Sequence, residues 1–441
     1  MDFRTGRGKT PIPPAYRKNW QRQDSDECPE CPPSAPCPPC PPATCTSRAW
    51  VRNPDWLDMP TVENGDEIIY LLVAVKENQP NLLSFVVNTS GVDYEVDLYN
   101  DGTTVTTHTD NTQADFNLDY TKGTAGIIDE SYKQVIVKIT APGGTMVSLN
   151  CYKEHPDGTA NHGIEHRILS VKMAGSFTTG TEMFRSSTKV RHHMLEEFEF
   201  VGTSSITIYS NAFYGANRLG KVKGDFSAGT NFQNCWSGGV GDFDKSEMTM
   251  PTSGITNFSQ VFSSCHPTRW EGSWVPDFLK GAEYPSSAFS SGNLEIFGTP
   301  TYRARFDSMT NANGFYQAFQ SNSELTQAYF LLAQTQPKSL YRAFRNDHSL
   351  QVVDAIDASL VTNMTGTFEN NYSLSWLRLV GITVSFSIAE CNFSREGLVQ
   401  VFNDLGTVAS GTITVTNNPG VSDLTAADLL IATNKGWTVT T

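Results

Sequence analysis

The 441-residue sequence predicts a mainly β protein: an extended N-terminal segment, a sandwich of short strands, then a stacked-repeat solenoid closed by an α/β cap. Three observations predict it. A segment of 24 to 30 residues, shortened to 19 between Phe213 and Phe232, recurs through the second half, each copy opening on an aromatic step at Phe184, Phe213, Phe232, Phe262, Phe289, Phe319, Phe344 and Phe368. Short β-branched runs fill residues 56–153, and cysteine and proline crowd residues 28–45. A fixed period of this size marks units that bury their apolar faces only against neighbours, so binding is a better expectation than catalysis.

Residues 1–55 read as an anchoring arm followed by a collar. Residues 1–23 carry six cations, Arg4, Arg7, Lys9, Arg17, Lys18 and Arg22, against one acid, Asp2. On a chain of net charge -14 this is the one strongly basic stretch, and it predicts a docking arm that orders against an acidic partner. Five of the nine cysteines follow, Cys28, Cys31, Cys37, Cys40 and Cys45, with proline every two or three positions. That spacing forbids helix and central strand and predicts extended chain. The two Cys-x-x-Cys pairs have zinc-ligand chemistry, but the five Pro-rich residues between them hinder a tetrahedral site. The preferred reading is an interchain disulfide collar in a parallel homotrimer, an odd number of cysteines per chain favouring pairing between chains.

Residues 56–153 predict a β-sandwich. Ile68–Val75, Leu82–Val87, Tyr94–Leu98 and Lys133–Ile139 are β-branched and partly alternating, and Asn100-Asp-Gly102 supplies a hairpin turn. The run Tyr94-Glu-Val-Asp97, then Asp101-Gly-Thr103, resembles the polycystic-kidney-disease-type immunoglobulin-like domains of phage structural proteins. The altered step is Asp97-Leu-Tyr-Asn-Asp-Gly102, where that family has an aromatic-Gly arrangement.

Residues 154–391 hold the repeats. Six residues after the Phe comes an aliphatic side chain at Val190, Leu219, Leu325, Leu350 and Leu374, with Leu294 at five. Three residues after it come Ser187, Ala216, Cys235, Cys265, Gly292, Asn322, Asp347 and Asn371, expected to point inward and satisfy turn backbone. The pattern resembles BspA-like leucine-rich repeats of bacterial surface proteins and phage fibres. Cys235 and Cys265 read as equivalent positions on neighbouring rungs, preferably free and buried and alternatively disulfide-linked. Residues 392–441 form the cap: a helix after Ser394, a strand at Gly411–Thr416, a helix at Leu424–Ala432 and a stop at Gly436. The ending Lys435-Gly-Trp-Thr-Val439 resembles the close of phage fibre repeats.

The acidic balance argues against nucleic acid, and no apolar run is long enough for membrane insertion. The N-terminus has no apolar core of a secretory signal. No catalytic motif, metal site or cofactor site is expected. His192 and His193 read as surface residues, being adjacent and unable to chelate together from one strand. Trp236, Trp270, Trp274, Tyr302 and Tyr316 lie off the repeated Phe position and are candidate receptor-contact aromatics, with core packing as the alternative.

The resemblances together imply a non-enzymatic structural fibre or spike of a bacteriophage virion, assembled in the host cytoplasm. Its N-terminus would meet another virion protein of baseplate, neck or capsid, and its repeats a host-surface glycan or protein. A BspA-like surface adhesin and a polysaccharide-depolymerising tailspike are the alternatives.

Overall fold

The computed structural model describes residues 50–441 apart from 126–131, 159–163, 240–244, 246, 266–268 and 310. The basic arm and the five collar cysteines therefore lie outside the described residues. The chain is mainly β and contains a β-solenoid of about 10 turns.

The expected strands of the first segment form. Ile68–Lys76 pairs antiparallel with Tyr132–Thr140 on one side and Ile168–Ala174 on the other. Tyr94–Asp97 adds to Tyr132–Thr140, and Val105–His108 closes the hairpin. Asp97 caps that turn by accepting the amides of Asp101 (3.2 Å) and Gly102 (2.8 Å). A second sheet, ordered Gln113–Asn117, Leu82–Asn88, Ser148–Asn150, shares its core with the first through Leu83, Phe85 and Val87. Ile168–Ala174 then changes the pairing mode. It continues in parallel to Glu197–Phe200, Lys221–Asp225 and Met248–Thr249, so one sheet runs through residue 153 into the repeats.

Each rung of the solenoid is a pair of turns on one face and a short parallel strand on the other. The turn side is organised by an aromatic ladder: Phe184, Phe213, Trp236, Phe262, Phe289, Phe319, Phe344 and Phe368. Successive rings are 5.1–6.2 Å apart and within 19° of parallel. All are buried. Offset stacking adds about 0.5–1.5 kcal/mol per pair to the burial itself. Two residues before each ladder ring the backbone is left-handed, at Glu182, Asn211, Asn234, Gln260, Ser287, Gln317, Arg342 and Gly366. Two residues after it the same holds from Gly215 to Asn370. These reversals turn every second amide toward the next rung: Leu340 N donates to Asn363 O (2.9 Å), Arg342 N to Thr365 O (3.0 Å), Phe344 N to Thr367 O (3.1 Å) and Asn346 N to Glu369 O (2.9 Å). The turn backbone is thus bonded along the stack as a sheet is.

The ladder corrects the repeat register at one rung. Trp236, not Phe232, holds the ladder position. Phe232 sits four residues earlier, stacked on Tyr209 at 5.1 Å and level with Phe258 and Phe315 on their rungs. Both positions face inward, so a Phe step fits either. In consequence Gly239, not Cys235, lies three residues after the ring, and Cys235 and Cys265 occupy different positions. Both are buried and free, as are Cys151 and Cys391.

The expected inward role of the following position holds where it carries a donor. Asn322 Nδ2 donates to Phe289 O (2.7 Å) and Phe319 O (2.5 Å), Asn371 Nδ2 to Phe344 O (2.6 Å), and Cys265 Sγ to Trp236 O (2.8 Å). Asn418 repeats the device near the C-terminus, donating to Ile388 O and Val415 O. There the helix Arg395–Asp404 is capped by Ser394, and Ala426–Thr433 by a Thr425/Asp428 box. The Asp428 carboxylate also receives Arg395 at 2.8 and 2.9 Å, which ties the two helices together. Phe386–Ser387, Gly411–Thr414 and Trp437–Thr440 pair in parallel beside them.

Candidate functional site

The solenoid repeats its outward side chains at one level per rung, so like residues align into strips. The strip with aromatic character runs over the turns of the later rungs. Tyr316 and Tyr341, each three residues before its ladder ring, stack at 4.7 Å and 14°. The Arg342 guanidinium lies 4.9 Å from the Tyr341 ring centroid. Four residues after the ladder rings, His348 and Tyr372 stack at 5.7 Å and 4°, and Tyr372 is 52% exposed. Between these pairs run polar ties along the stack: Arg345 to Glu369 at 2.9 Å, and Asn370 Nδ2 to Asn346 Oδ1 at 2.8 Å. The Tyr372 hydroxyl donates to Asn370 Oδ1 at 2.9 Å. The strip thus offers aromatic faces held by stacking beside fixed amides and charges, which is chemistry that sugar rings and polar peptides meet well.

The strand face is different. Lys172, Glu199, Lys223 and Glu247 alternate in sign across neighbouring strands at 3.6, 3.0 and 3.3 Å. Hydrogen bonding to Glu199 holds the Lys223 ammonium above its ordinary range, and the Lys221 ammonium holds the Glu247 carboxyl below its own. These charges are consumed in rung-to-rung pairing and leave little net field.

The predicted receptor-contact aromatics divide. Trp236 and Trp270 are buried core residues, which overturns their surface assignment: Trp236 is a ladder ring, and Trp270 packs edge-on against Phe262 and Phe289. Trp274 packs on Trp270 at 5.0 Å, and both rings lie 5.1 Å from the Lys245 ammonium, so they shelter a buried cation. Tyr302 is 38% exposed in the loop ahead of Ala304–Phe306, apart from the turn strip. Tyr316 alone joins the strip. Tyr341 went unrecognised, although its 25-residue offset from Tyr316 is a full repeat.

His192 is also corrected from surface to core. It is fully buried, its Nε2 3.1 Å from Cys151 O and its ring 5.1 Å from His166. His166 Nδ1 and Nε2, His192 Nδ1 and His155 Nε2 have no hydrogen-bond partner among the described residues. Burial lowers the His192 pKa to about 4 and that of His166 well below the ordinary value, so both rings are neutral. Among the described residues no three His, Cys, Asp or Glu side chains are grouped to hold a metal ion. Among them, too, no helix is long and apolar enough to cross a membrane.

Neither family models, curated proteins nor solved structures provide a match to this chain.

Proposed function

We propose that the chain is a structural fibre or spike protein of a tailed-bacteriophage virion that displays its solenoid to the host surface. Residues 1–55 attach to another virion protein and link a homotrimer through the collar cysteines. Residues 56–153 act as an immunoglobulin-like sandwich spacer, residues 154–391 as a leucine-rich-repeat-like display surface, and residues 392–441 as its cap. The observation that carries the display role is the aligned aromatic strip of Tyr316, Tyr341, His348 and Tyr372 on successive rungs. The sequence resemblances supply the phage context.

The test joins location and binding. Antibody against the chain should decorate purified particles, and the labelled protein should bind cells of the bacterium that propagates them. The double variant Tyr341→Ala/Tyr372→Ala should weaken that binding at least tenfold while the chain remains folded at the temperature of the binding assay. Undecorated particles would overturn the virion assignment in favour of a cell-surface adhesin. New reducing ends released from host polysaccharide would replace attachment with depolymerisation. A monomer band from intact particles in non-reducing electrophoresis would remove the collar.

A further inference from the structure

The inter-rung bonding described above breaks once on the turn side. Four amides of the Phe344 rung donate to the Phe368 rung, but Met364, Gly366, Phe368 and Asn370 have no backbone acceptor in turn among the described residues. The stack resumes beyond them, where Ile388 N donates to Thr414 O and Glu390 N to Thr416 O, both at 2.9 Å. Between Met364–Gly366 and Val384–Ser387 lies an open groove of about 400 Å³.

The polarity of its two walls follows from trans peptide geometry, in which C=O and N–H of one unit point in opposite directions. Asn363 O and Thr365 O are turned toward the preceding rung, where they accept Leu340 N and Arg342 N. The N–H groups of the same units, on Met364 and Gly366, therefore point into the groove. On the far wall Ile388 N points away to Thr414, so the carbonyl of Ser387 points back into it. One wall presents donors at alternate residues and the other an acceptor, with the buried Met364 and Phe386 side chains below. Two rung edges thus face each other with complementary polarity across the gap.

We propose that this groove binds an extended polypeptide segment of another protein, which inserts between the two edges as an added rung. A main chain alternates acceptor and donor on opposite edges at the two-residue spacing the walls require, which is the logic of strand addition. The groove lies at the end of the Tyr316–Tyr341 row, where Thr365 is the next residue at that level, but no aromatic of the strip lines it and the proposal does not depend on the strip's role.

The probe is a capped nonapeptide copying Thr362–Asn370, whose main chain already accepts from one rung edge in the protein, added to the isotopically labelled full chain. Amide hydrogen exchange at Met364 and Gly366 is the readout. Both amides should exchange rapidly in the free protein and slow at least tenfold with peptide. A peptide N-methylated at alternate positions should not protect them. Thr365→Trp, at an exposed side chain lining the groove, should abolish protection while leaving the melting temperature unchanged. Protection in the free protein, no response to the peptide, or equal protection by a glucan hexasaccharide would each overturn the proposal.

Discussion

Asp347 occupies the inward position three residues after a ladder ring, where Asn322 and Asn371 stand on other rungs, and it is fully buried. Its Oδ1 accepts Asn322 N at 2.7 Å, but Oδ2 has no partner among the described residues. Burial pushes its carboxyl well above the usual range against the opposing pull of the Asn322 and Ser321 amides. The folded chain therefore keeps a proton that the unfolded chain releases above its pKa of 3.8. Stability then falls as pH rises, by about 1.4 kcal/mol per pH unit, until the folded carboxyl also ionises. Asp347→Asn keeps the Oδ1 acceptor, cannot ionise, and offers Nδ2 to the Phe319 and Phe344 carbonyls as its neighbours do. The variant should match the parent near pH 4 and exceed it increasingly toward pH 8. The assay is chemical denaturation of the full chain at several pH values, comparing transition midpoints so that other titrations cancel. A variant less stable than the parent at pH 7, or a difference that does not grow with pH, would refute the reasoning.

Three further outcomes are expected. Phe344→Ala removes a ring stacked on Phe319 at 5.1 Å and Phe368 at 5.9 Å and should cost about 3–5 kcal/mol. Limited proteolysis should then cut the adjacent rungs first and spare the sheets of residues 68–150, whereas parental resistance would contradict the ladder. Acidification should destabilise the solenoid entry: unfolded His192 takes up a proton near pH 6.5 and the buried ring near 4, so stability is lost as pH falls through that window. The loss approaches about 3 kcal/mol, and His192→Phe should reduce the acid sensitivity of the melting temperature. Gly436→Ala places a methyl 1.9 Å from the Val408 carbonyl oxygen at a φ of +83°, so it should lower the thermal midpoint of the cap, and an unchanged midpoint would show that the turn can relax.

Several parts of this architecture were readable because one local rule decided them. The strands Ile68–Lys76 and Tyr132–Thr140 follow from β-branched runs, and the helix Arg395–Asp404 from its Ser cap and spacing. The inward Asn residues were legible because a buried amide beside turn carbonyls has a clear use. Burial of off-ladder aromatics was not. Trp270 and Trp274 differ from Tyr302 through their distance to Lys245 and Phe278, which the fold brings together from separate stretches of sequence. His192 likewise became core because the His166 and Phe184 rings enclose it, a tertiary fact that its charged neighbours in sequence conceal.

The misplaced rung was nevertheless within reach of backbone chemistry. Left-handed residues stand two before and two after the ladder ring on nearly every rung, and that conformation excludes β-branched side chains far more strongly than Asn, Ser or Gly. Phe232 has Thr230 two residues before it, a residue that resists a positive φ. Trp236 has Asn234 before it and Gly238 after it, at 54° and 69°. The flanking pair therefore selects Trp236 over Phe232 without reference to the ring itself. The same test accepts Phe262 between Gln260 and Ser264 and rejects Phe258, whose forward partner is Gln260 but whose preceding partner is Thr256. In a solenoid whose core accepts any large ring, the turn residues that can reverse the chain define the register more sharply than the apolar residues they present.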